Sequence, residues 1–381
     1  MNRRQFISSG AAAAAAAQAA NLSAARDEFP WASREAYLNT ATEHPLGVTT
    51  TRAIEEYLHA LTHGPDAARD KFENGRLMTG VKRMFAQLIH AKPSETGFVP
   101  STQIGENLIL EGLDIQATGS NVVTNDLHYG GSLLNYRRRQ ASGMDVRIVK
   151  HRDYQMDMSD LEKAVNAKTK LIAIAMVSNV NGYLHDVKAI SDVAHAHGAY
   201  LYCDVIQAAG AVPIDVRAMG IDFLACSAYK WLMGGRFGYL YVREDLQGSV
   251  MKAKLFGGRS TRDGASRYEV STVSHVGCVC QHQALQYIHG LGVDRIRAHA
   301  RPLTARLIKE LPAVGYASMT PPGTESPIAS FHVKDVARTR ERLKNAGVVA
   351  TLSGNREGYL RASVSVFNND QDIDRLITAL S

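Results

Sequence analysis

Two ionisable side chains stand just after apolar runs of this 381-residue chain, where an open α/β sheet would bind a ligand. Asp204 directly follows the run at 200–203, and Lys230 comes shortly after the run at 221–227. A carboxylate at a strand end is partly desolvated and needs a cationic partner. Each residue also has a simpler interpretation, because an aspartate here often caps a helix and a lysine is often only solvated.

A third segment could bind an anion. Ser101-Thr102-Gln103 follows a short apolar run and precedes a helical pattern at 106–113. The backbone amides at a helix start attract negatively charged groups. Serine or threonine before a helix is also the usual cap, so this segment alone identifies no ligand.

Together the three places describe a pocket for a molecule with a phosphate, a protonatable aromatic nitrogen and an electrophilic carbonyl. Pyridoxal phosphate has all three groups. Asp204 would keep the pyridine nitrogen protonated, the Lys230 amine would form a Schiff base, and the groups at 101–103 would bind the phosphate. The sequence therefore predicts a pyridoxal-phosphate enzyme with Lys230 as its catalytic residue.

The elements that must position these residues are short apolar runs that alternate with helical patterns. Several runs lack alternating polar residues, as expected of strands buried on both faces. A helix is predicted at 186–197, with Gly198 as its stop. The pattern predicts an α/β fold with a mostly parallel, helix-covered sheet. Its predicted strands are 121–124, 146–149, 171–177, 199–203, 222–226 and 238–242.

The pattern changes after about residue 295 to that of a smaller α+β domain. We predict three regions: a signal and linker at 1–26, a large cofactor-binding domain at 27–290, and a small domain at 291–381. The segment at 37–39 is expected to pack beside the active site or on the small domain. Within the small domain the predicted elements are a helix through 301–311, strands at 328–333 and 358–364, and a helix at 336–346.

The N-terminus has the pattern of a twin-arginine export signal. Arg3 and Arg4 precede Phe6 and an alanine run, with small residues at Ala17 and Ala19 that suit a signal peptidase. A disordered alanine-rich tail is the alternative. The pattern predicts export as a folded protein to the periplasm, which would suit a cofactor inserted before export. No later apolar run is long enough to cross a bilayer.

Composition argues against other classes of partner. The net charge of +6 is spread along the chain without a long basic block, so nucleic acid is not an expected partner. Four cysteines are too few for a disulfide framework, and no second Cys/His pair stands at ligand spacing, so no metal site is predicted.

Three stretches of the chain stand in an order and spacing that match a known family: 177–182 (VSNVNG), 204–210 (DVIQAAG) and 227–231 (SAYKW). Through them the sequence resembles the class V aminotransferase family of fold type I pyridoxal-phosphate enzymes. This family includes cysteine desulfurases and isopenicillin N epimerase-like proteins. The resemblance runs from about Tyr37 to the C-terminus, and it implies a seven-stranded type of sheet.

The resemblance implies a role for individual residues. Lys230 would be the Schiff-base lysine and Asp204 the partner of the pyridine nitrogen. Tyr129 would stack on the ring, with His128 as the alternative one residue earlier. The other implied cofactor contacts are Asn179 and Gln207 near the ring oxygen, and Thr102, Gln103 and Ser227 at the phosphate.

The resemblance also implies a homodimer with shared active sites. Ser271 and Thr272 would reach the phosphate of the neighbouring subunit. Arg361 would bind the substrate carboxylate, for which a bidentate guanidinium is well suited. Asn39 is assigned to the substrate side of the same site.

Departures from the family pattern bear on the reaction. Desulfurases need a nucleophilic cysteine shortly before the arginine, and 348–361 contains none. Tyr229 stands where desulfurases carry a histidine, and Ser271 where a glycine is usual. We therefore expect chemistry at the α-carbon of an amino acid, of the epimerase or aminotransferase type.

Two alternatives stay open. A C–S lyase or desulfurase-like activity is the first, and a binding protein that kept the fold without catalysis is the second. A nucleotide-dependent oxidoreductase is disfavoured, because the chain lacks a Gly-x-Gly-x-x-Gly turn after its first strand.

Overall fold

A computed structural model describes residues 22, 24–64, 74–116, 118–254 and 262–381 of the chain. Most of the predicted export signal therefore lies outside the described residues. Within the described part, no helix is both long and apolar enough to cross a membrane.

All six predicted runs are confirmed as strands, with ends shifted by at most two residues. The strands of the described part are β1 (Ala36–Tyr37), β2 (Thr96–Val99), β3 (Asn121–Asn125), β4 (Asp145–Val149), β5 (Thr169–Ala175), β6 (Tyr200–Asp204), β7 (Phe223–Ser227), β8 (Gly238–Val242), β9 (Ile328–Val333), β10 (Val348–Val349), β11 (Thr351–Gly354) and β12 (Gly358–Ser363).

The largest sheet in the described part has seven strands in the order β2-β8-β7-β6-β5-β3-β4. Neighbouring strands are parallel except at β8, which runs antiparallel to both β2 and β7.

Helices pack on both faces of the seven-stranded sheet. Side chains alternate along a strand, so Leu171 and Ala173 enter one hydrophobic cluster while Ile172 and Ile174 enter another. Burial on both faces explains the lack of polar alternation in the sequence. The helices of this part are α1 (Ala25–Glu28), α2 (Trp31–Arg34), α3 (Val48–His63), α4 (Asn74–Leu88), α5 (Thr102–Gly112), α6 (Gly130–Ala141), α7 (Met158–Ala164), α8 (Val187–Ala196) and α9 (His275–Leu291).

The helix predicted at 186–197 is confirmed as α8. Asp186 caps its start, since its carboxylate accepts from the Ala189 amide at 3.0 Å. Gly198 follows its end with a φ of +70°, a conformation that costs glycine little.

The C-terminal region has its own hydrophobic cluster around the three-stranded antiparallel sheet β11-β12-β9. The predicted helix through 301–311 is the second half of a longer one, and the other three predicted elements are confirmed. Ala36 and Leu38 enter this cluster, and β1 pairs with β10, so the N-terminal segment packs on the small domain. The helices are α10 (Val293–Glu310), α11 (Val336–Asn345) and α12 (Asp370–Leu380).

The small domain docks on the loop at 178–182. Ser330 Oγ donates to the Val180 carbonyl at 2.7 Å, and Ser326 Oγ donates to the Gly182 carbonyl at 2.6 Å. Gly182 has a φ of +75°, and a Cβ there would overlap the Ile328 carbonyl oxygen. This close approach fixes the position of β9 and its neighbour β12 relative to the loop at 178–182.

Candidate active site

Six of the predicted site residues line one cavity at the carboxyl ends of β6 and β7. The two strands are parallel neighbours with Asp204 opposite Ala225, so their ends meet at the same edge of the sheet. The lining residues are Ser101, Thr102, Gln103, Tyr129, Asp204, Ile206, Ser227, Tyr229 and Lys230. The predicted strand-end pocket is therefore present in the structure.

The N-terminus of α5 is held to the end of β7 by a reciprocal hydrogen-bond pair. The Thr102 amide donates to Ser227 Oγ at 2.9 Å, and the Ser227 amide donates to Thr102 Oγ1 at 2.8 Å. Ser101 caps the helix by accepting from the Ile104 amide at 3.3 Å. Two hydroxyls and a helix N-terminus thus face the cavity, an arrangement that favours a phosphate.

Burial perturbs both ionisable groups of the cavity. It raises the pKa of the Asp204 carboxyl to about 6, against the Ile206 amide and the Lys230 charge, which lower it. It lowers the pKa of the Lys230 amine to about 8; the Asp204 charge raises this pKa and the Arg361 charge lowers it. Desolvation therefore outweighs the attraction between the two groups. The site holds a carboxylate suited to a buried cation and an amine that is neutral in part near pH 8.

Arg361 lies at the small-domain side of the site and is buried. Its Nη1 donates to the Asn179 carbonyl at 2.8 Å, and its Nη2 donates to Thr42 Oγ1 at 2.8 Å and Thr351 Oγ1 at 3.1 Å. Its Nε has no partner among the described residues. Every contact of this buried cation is thus with a neutral group, so it remains available for an anion.

Asn39 and Asn179 belong to this Arg361 corner. Asn39 Oδ1 accepts from Thr351 Oγ1 at 2.6 Å, and Thr351 Oγ1 in turn accepts from the Arg361 guanidinium. Asn179 contacts Arg361 through its backbone, while its buried Oδ1 has no hydrogen-bond partner within the described part of the chain. An unpaired buried acceptor is costly, which suits a position that meets a ligand donor.

Gln207 does not line the cavity. Its Nε2 donates to the Ala41 carbonyl at 3.0 Å, and its Oε1 accepts from Trp231 Nε1 at 2.9 Å. It therefore joins the N-terminal segment to the residue after Lys230. The amide keeps one further N–H, so its predicted contact with the cofactor stays a prediction.

Ser271 and Thr272 are exposed and lie outside this cavity. They cannot be assigned to the site of their own subunit, and the role predicted for them in a neighbouring subunit stays a prediction.

The structure distinguishes Tyr129 from His128. Tyr129 lines the cavity with 41% of its surface exposed, whereas His128 is fully buried and does not line it. The ring that faces the cavity is therefore Tyr129, as the first of the two alternatives supposed. Its predicted stacking on the cofactor stays a prediction.

Sequence reasoning missed Thr42 and Thr351 as the hydroxyl partners of Arg361. Thr42 contacts Arg361 only because distant segments meet, and the Thr351 contact depends on the register of the β11–β12 hairpin, which no local sequence signal marked. Tyr229 was noted only as a departure from the desulfurases, yet it lines the cavity with its ring centroid 5.7 Å from Lys230 Nζ.

None of the four cysteines of the chain is placed to act as a nucleophile. All are buried, and none lines the cavity. Burial raises the pKa of the Cys203 and Cys226 thiols well above their usual range, and that of the Cys278 and Cys280 thiols to about 12. A reactive thiolate needs the opposite surroundings.

The segment before Arg361 is a tight hairpin. β11 and β12 pair directly from Thr351 opposite Arg361 to Gly354 opposite Gly358, which leaves only three residues in the turn. The hairpin has no long loop that could carry a side chain into the cavity.

Removing the negative charge of Asp204 and removing the positive charge of Arg361 should move the pKa of Lys230 in opposite directions. In the cofactor-free protein, acetylation of Lys230 by acetic anhydride should rise with pH around a midpoint near 8. Asp204→Asn removes a charge that favours the ammonium form, so the midpoint should fall; Arg361→Gln removes a charge that opposes it, so the midpoint should rise. Peptide mass spectrometry measures the midpoints, and one shared value for the three proteins would contradict the assignment.

The polar groups of the cavity fit pyridoxal phosphate. The α5 N-terminus and the Thr102 and Ser227 hydroxyls suit its phosphate, the buried Asp204 carboxylate suits its pyridine nitrogen, and the Lys230 amine suits its aldehyde. Among the described residues, no cation is in direct contact with Asp204 to offset its burial.

Comparison with solved structures supports this fold. A C-DES mutant with glycine covalently linked to its PLP cofactor has a TM-score of 0.83 at 20% identity, covering 93% of this chain and 98% of that one. The apo structure of a cysteine desulfurase from Thermococcus onnurineus has a TM-score of 0.80 at 22% identity, covering 93% and 95%. The predicted fold type I class is thereby confirmed.

Comparison with sequences extends over the same region. A probable cysteine desulfurase of Methanothermobacter thermautotrophicus is 27% identical, covering 92% of this chain and 95% of the relative. An uncharacterised aminotransferase of Bacillus subtilis is 25% identical, covering 93% and 96%. The family model for class V aminotransferases matches residues 37–376. The chain therefore belongs to the class V aminotransferase family, and its cofactor is pyridoxal phosphate.

Proposed function

We propose that this protein is a pyridoxal-phosphate lyase that cleaves a carbon–sulfur bond of a sulfur-containing amino acid, without an enzyme thiol. The observation that carries the proposal is the hairpin before Arg361, which has no cysteine, together with the burial of all four thiols. A lyase whose sulfur leaves on the product needs no thiol of its own.

The relatives favour this choice over our expectation of epimerisation or transamination. Several sequence relatives are named cysteine desulfurases. A similar structure, with a TM-score of 0.82 at 20% identity, is described as the cystine C–S lyase C-DES with its product cysteine persulfide. Sulfur chemistry recurs in these descriptions, and the lack of an available enzyme thiol supports a lyase over a desulfurase.

The residues of the site can be given roles in this reaction. Bound pyridoxal phosphate supplies an electron sink for the substrate α-carbon. Asp204 would hold the proton at the pyridine nitrogen, and Arg361 would bind the substrate carboxylate. Lys230 Nζ, neutral in part because burial lowers its pKa, would accept the α-proton, after which the sulfur departs from the β-carbon.

The products distinguish the lyase from a desulfurase. With cystine and water, the lyase yields pyruvate, ammonia and cysteine persulfide, whereas a desulfurase turns cysteine into alanine and leaves sulfur on its own cysteine. We expect pyruvate from cystine, no alanine from cysteine, and no gain of a sulfur atom in the intact mass of the enzyme. Keto-acid assays and mass spectrometry measure these products.

Two other results would overturn the proposal. Alanine together with a persulfide on Cys203, Cys226, Cys278 or Cys280 would make the protein a desulfurase. Cofactor binding with no product from any amino acid, whether keto acid, inverted isomer or sulfide, would favour a binding protein.

Arg361→Ala should separate substrate binding from cofactor binding. Loss of a charge-assisted contact with the substrate carboxylate costs about 1.5–3 kcal/mol, so KM should rise about ten- to hundredfold. The cofactor Kd should change by less than about threefold, since the predicted contacts of Arg361 are with the substrate.

Arg356→Ala is the matched control, because Arg356 is exposed at the tip of the same hairpin. Its KM should equal that of the unaltered protein. Parallel losses of substrate and cofactor affinity in Arg361→Ala would count against the assigned role.

We also propose a homodimer whose subunits share active sites. Ser271 and Thr272 are exposed and away from their own cavity, as residues that serve a neighbour would be. Large apolar side chains near the site, Ile104, Tyr129 and Leu134, are exposed in the single chain. A second subunit would bury them.

Export by the twin-arginine route is a further proposal. It rests on Arg3, Arg4 and the alanine run, and on the advantage of exporting an enzyme after its cofactor is inserted.

A further inference from the structure

A buried polar cluster adjoins Tyr129 and is connected to its backbone and to the helix that follows it. Glu106 of α5, His128, and Ser132 and Tyr136 of α6 are all essentially inaccessible to solvent. None of them lines the cavity, and none has a role in the proposed reaction. Polar groups are costly to bury, so a cluster of four beside a cofactor site calls for an explanation.

The hydrogen bonds of the cluster fix the tautomer of His128. Its Nδ1 lies 2.7 Å from the backbone nitrogen of Tyr129 and accepts its N–H. Burial lowers the pKa of His128 to about 3, so the ring is neutral and its proton is on Nε2. Nε2 has no hydrogen-bond partner among the described residues and lies 3.6 Å from Glu106 Oε1.

Glu106 is itself held from the opposite side. Its Oε2 accepts from Ser132 Oγ at 2.6 Å, and its Oε1 accepts from Tyr136 OH at 2.7 Å. Both donors are on α6, whose N-cap residue is Tyr129. Glu106 therefore joins α5, whose N-terminus faces the cavity, to α6, which begins directly after Tyr129.

We propose that Glu106 and His128 are positioning residues that hold Tyr129 against the cofactor. The imidazole fixes the Tyr129 amide through Nδ1, and the Glu106 carboxylate faces the Nε2 proton and keeps the tautomer that makes Nδ1 an acceptor. Tyr129 is partly exposed and follows a short turn, and the hydrogen bond to its amide fixes the backbone position from which its ring projects toward the cavity.

The chemistry of the pair supports positioning over a purely structural role. A core position in α5 is more stable with an apolar side chain, because a buried carboxylate without a cation in contact destabilises the fold. Burial raises the pKa of the Glu106 carboxyl to about 7, and the Asp204 charge acts in the same direction. The unfavourable burial of the Glu106 carboxyl therefore occurs next to Tyr129, which lines the cavity.

The inference rests on the cofactor site and on Tyr129 as a cofactor contact, but not on the reaction. Its test therefore measures cofactor binding. Failure of the C–S lyase assay would leave it intact, and failure of this test would leave the lyase assay intact.

Two substitutions of His128 separate its nitrogens. The amide oxygen of Asn can replace Nδ1 as the acceptor for the Tyr129 N–H, whereas the longer Gln places its polar group at the Nε2 position. Holoenzymes of His128→Asn, His128→Gln, Tyr129→Ala and the double variant Tyr129→Ala/His128→Gln would be compared by equilibrium dialysis of the cofactor and by its visible circular dichroism.

We expect His128→Gln and Tyr129→Ala to weaken cofactor binding by similar factors, about two- to tenfold, the range for loss of one aromatic contact. Both should reduce the visible dichroism. His128→Asn should bind within about twofold of the unaltered protein. The double variant should be no weaker than Tyr129→Ala, because His128 acts through Tyr129.

Multiplied losses in the double variant would show an independent role of His128 and overturn the proposal. So would an Asn variant as weak as the Gln variant. If His128→Gln does not fold, as judged by its far-ultraviolet spectrum, His128→Asn still decides: retained binding and dichroism support the proposal, and a loss equal to that of Tyr129→Ala refutes it.

Discussion

The burial of Asp204 and Lys230 at neighbouring strand ends is the constraint on which the site depends. Each group is driven toward its neutral form by desolvation, and the attraction between them does not restore either. This unfavourable burial is one that a ligand with a cationic nitrogen and an aldehyde would relieve. Parallel pairing of β6 and β7 keeps both groups at one edge of the sheet.

The remaining elements serve this arrangement. The reciprocal Thr102 and Ser227 bonds hold α5 to the strand that precedes Lys230, so the helix N-terminus and the amine line the same cavity. On the other side, the close approach at Gly182 seats the small domain and thereby brings Arg361 to the Asn179 carbonyl. The cavity and the Arg361 corner are therefore built by the seven-stranded sheet and by the C-terminal region, which meet at 178–182.

The sequence could predict the residues whose positions depend on local interactions along the chain, and not those that depend on contacts between distant segments. Asp204, Lys230 and Thr102 were predictable because each is marked by its own strand end or helix start, and the strands themselves are marked by local apolar runs. The direction of the Gln207 amide and the Thr42 contact of Arg361 depend on segments far apart in the chain. No local pattern encodes such meetings.

The reaction type, too, was only partly predictable from the sequence. The lack of a cysteine before Arg361 was visible in the sequence, and it was interpreted as favouring epimerisation or transamination. The hairpin geometry and the burial of every thiol imply that any sulfur removed from the substrate leaves with a product, because no enzyme thiol is placed to accept it. The sulfur itself was suggested by relatives, since no described contact in the site distinguishes a thioether from another β-substituent.

The covalent attachment of the cofactor tests the central claim most directly. The coloured holoenzyme would be reduced with borohydride and digested, and the modified peptide would be sequenced by mass spectrometry. The account predicts pyridoxyl phosphate on Lys230 in the peptide that contains Ser227, and a loss of the visible band in Lys230→Ala. Attachment to another lysine, or an unchanged visible band in that variant, would contradict it.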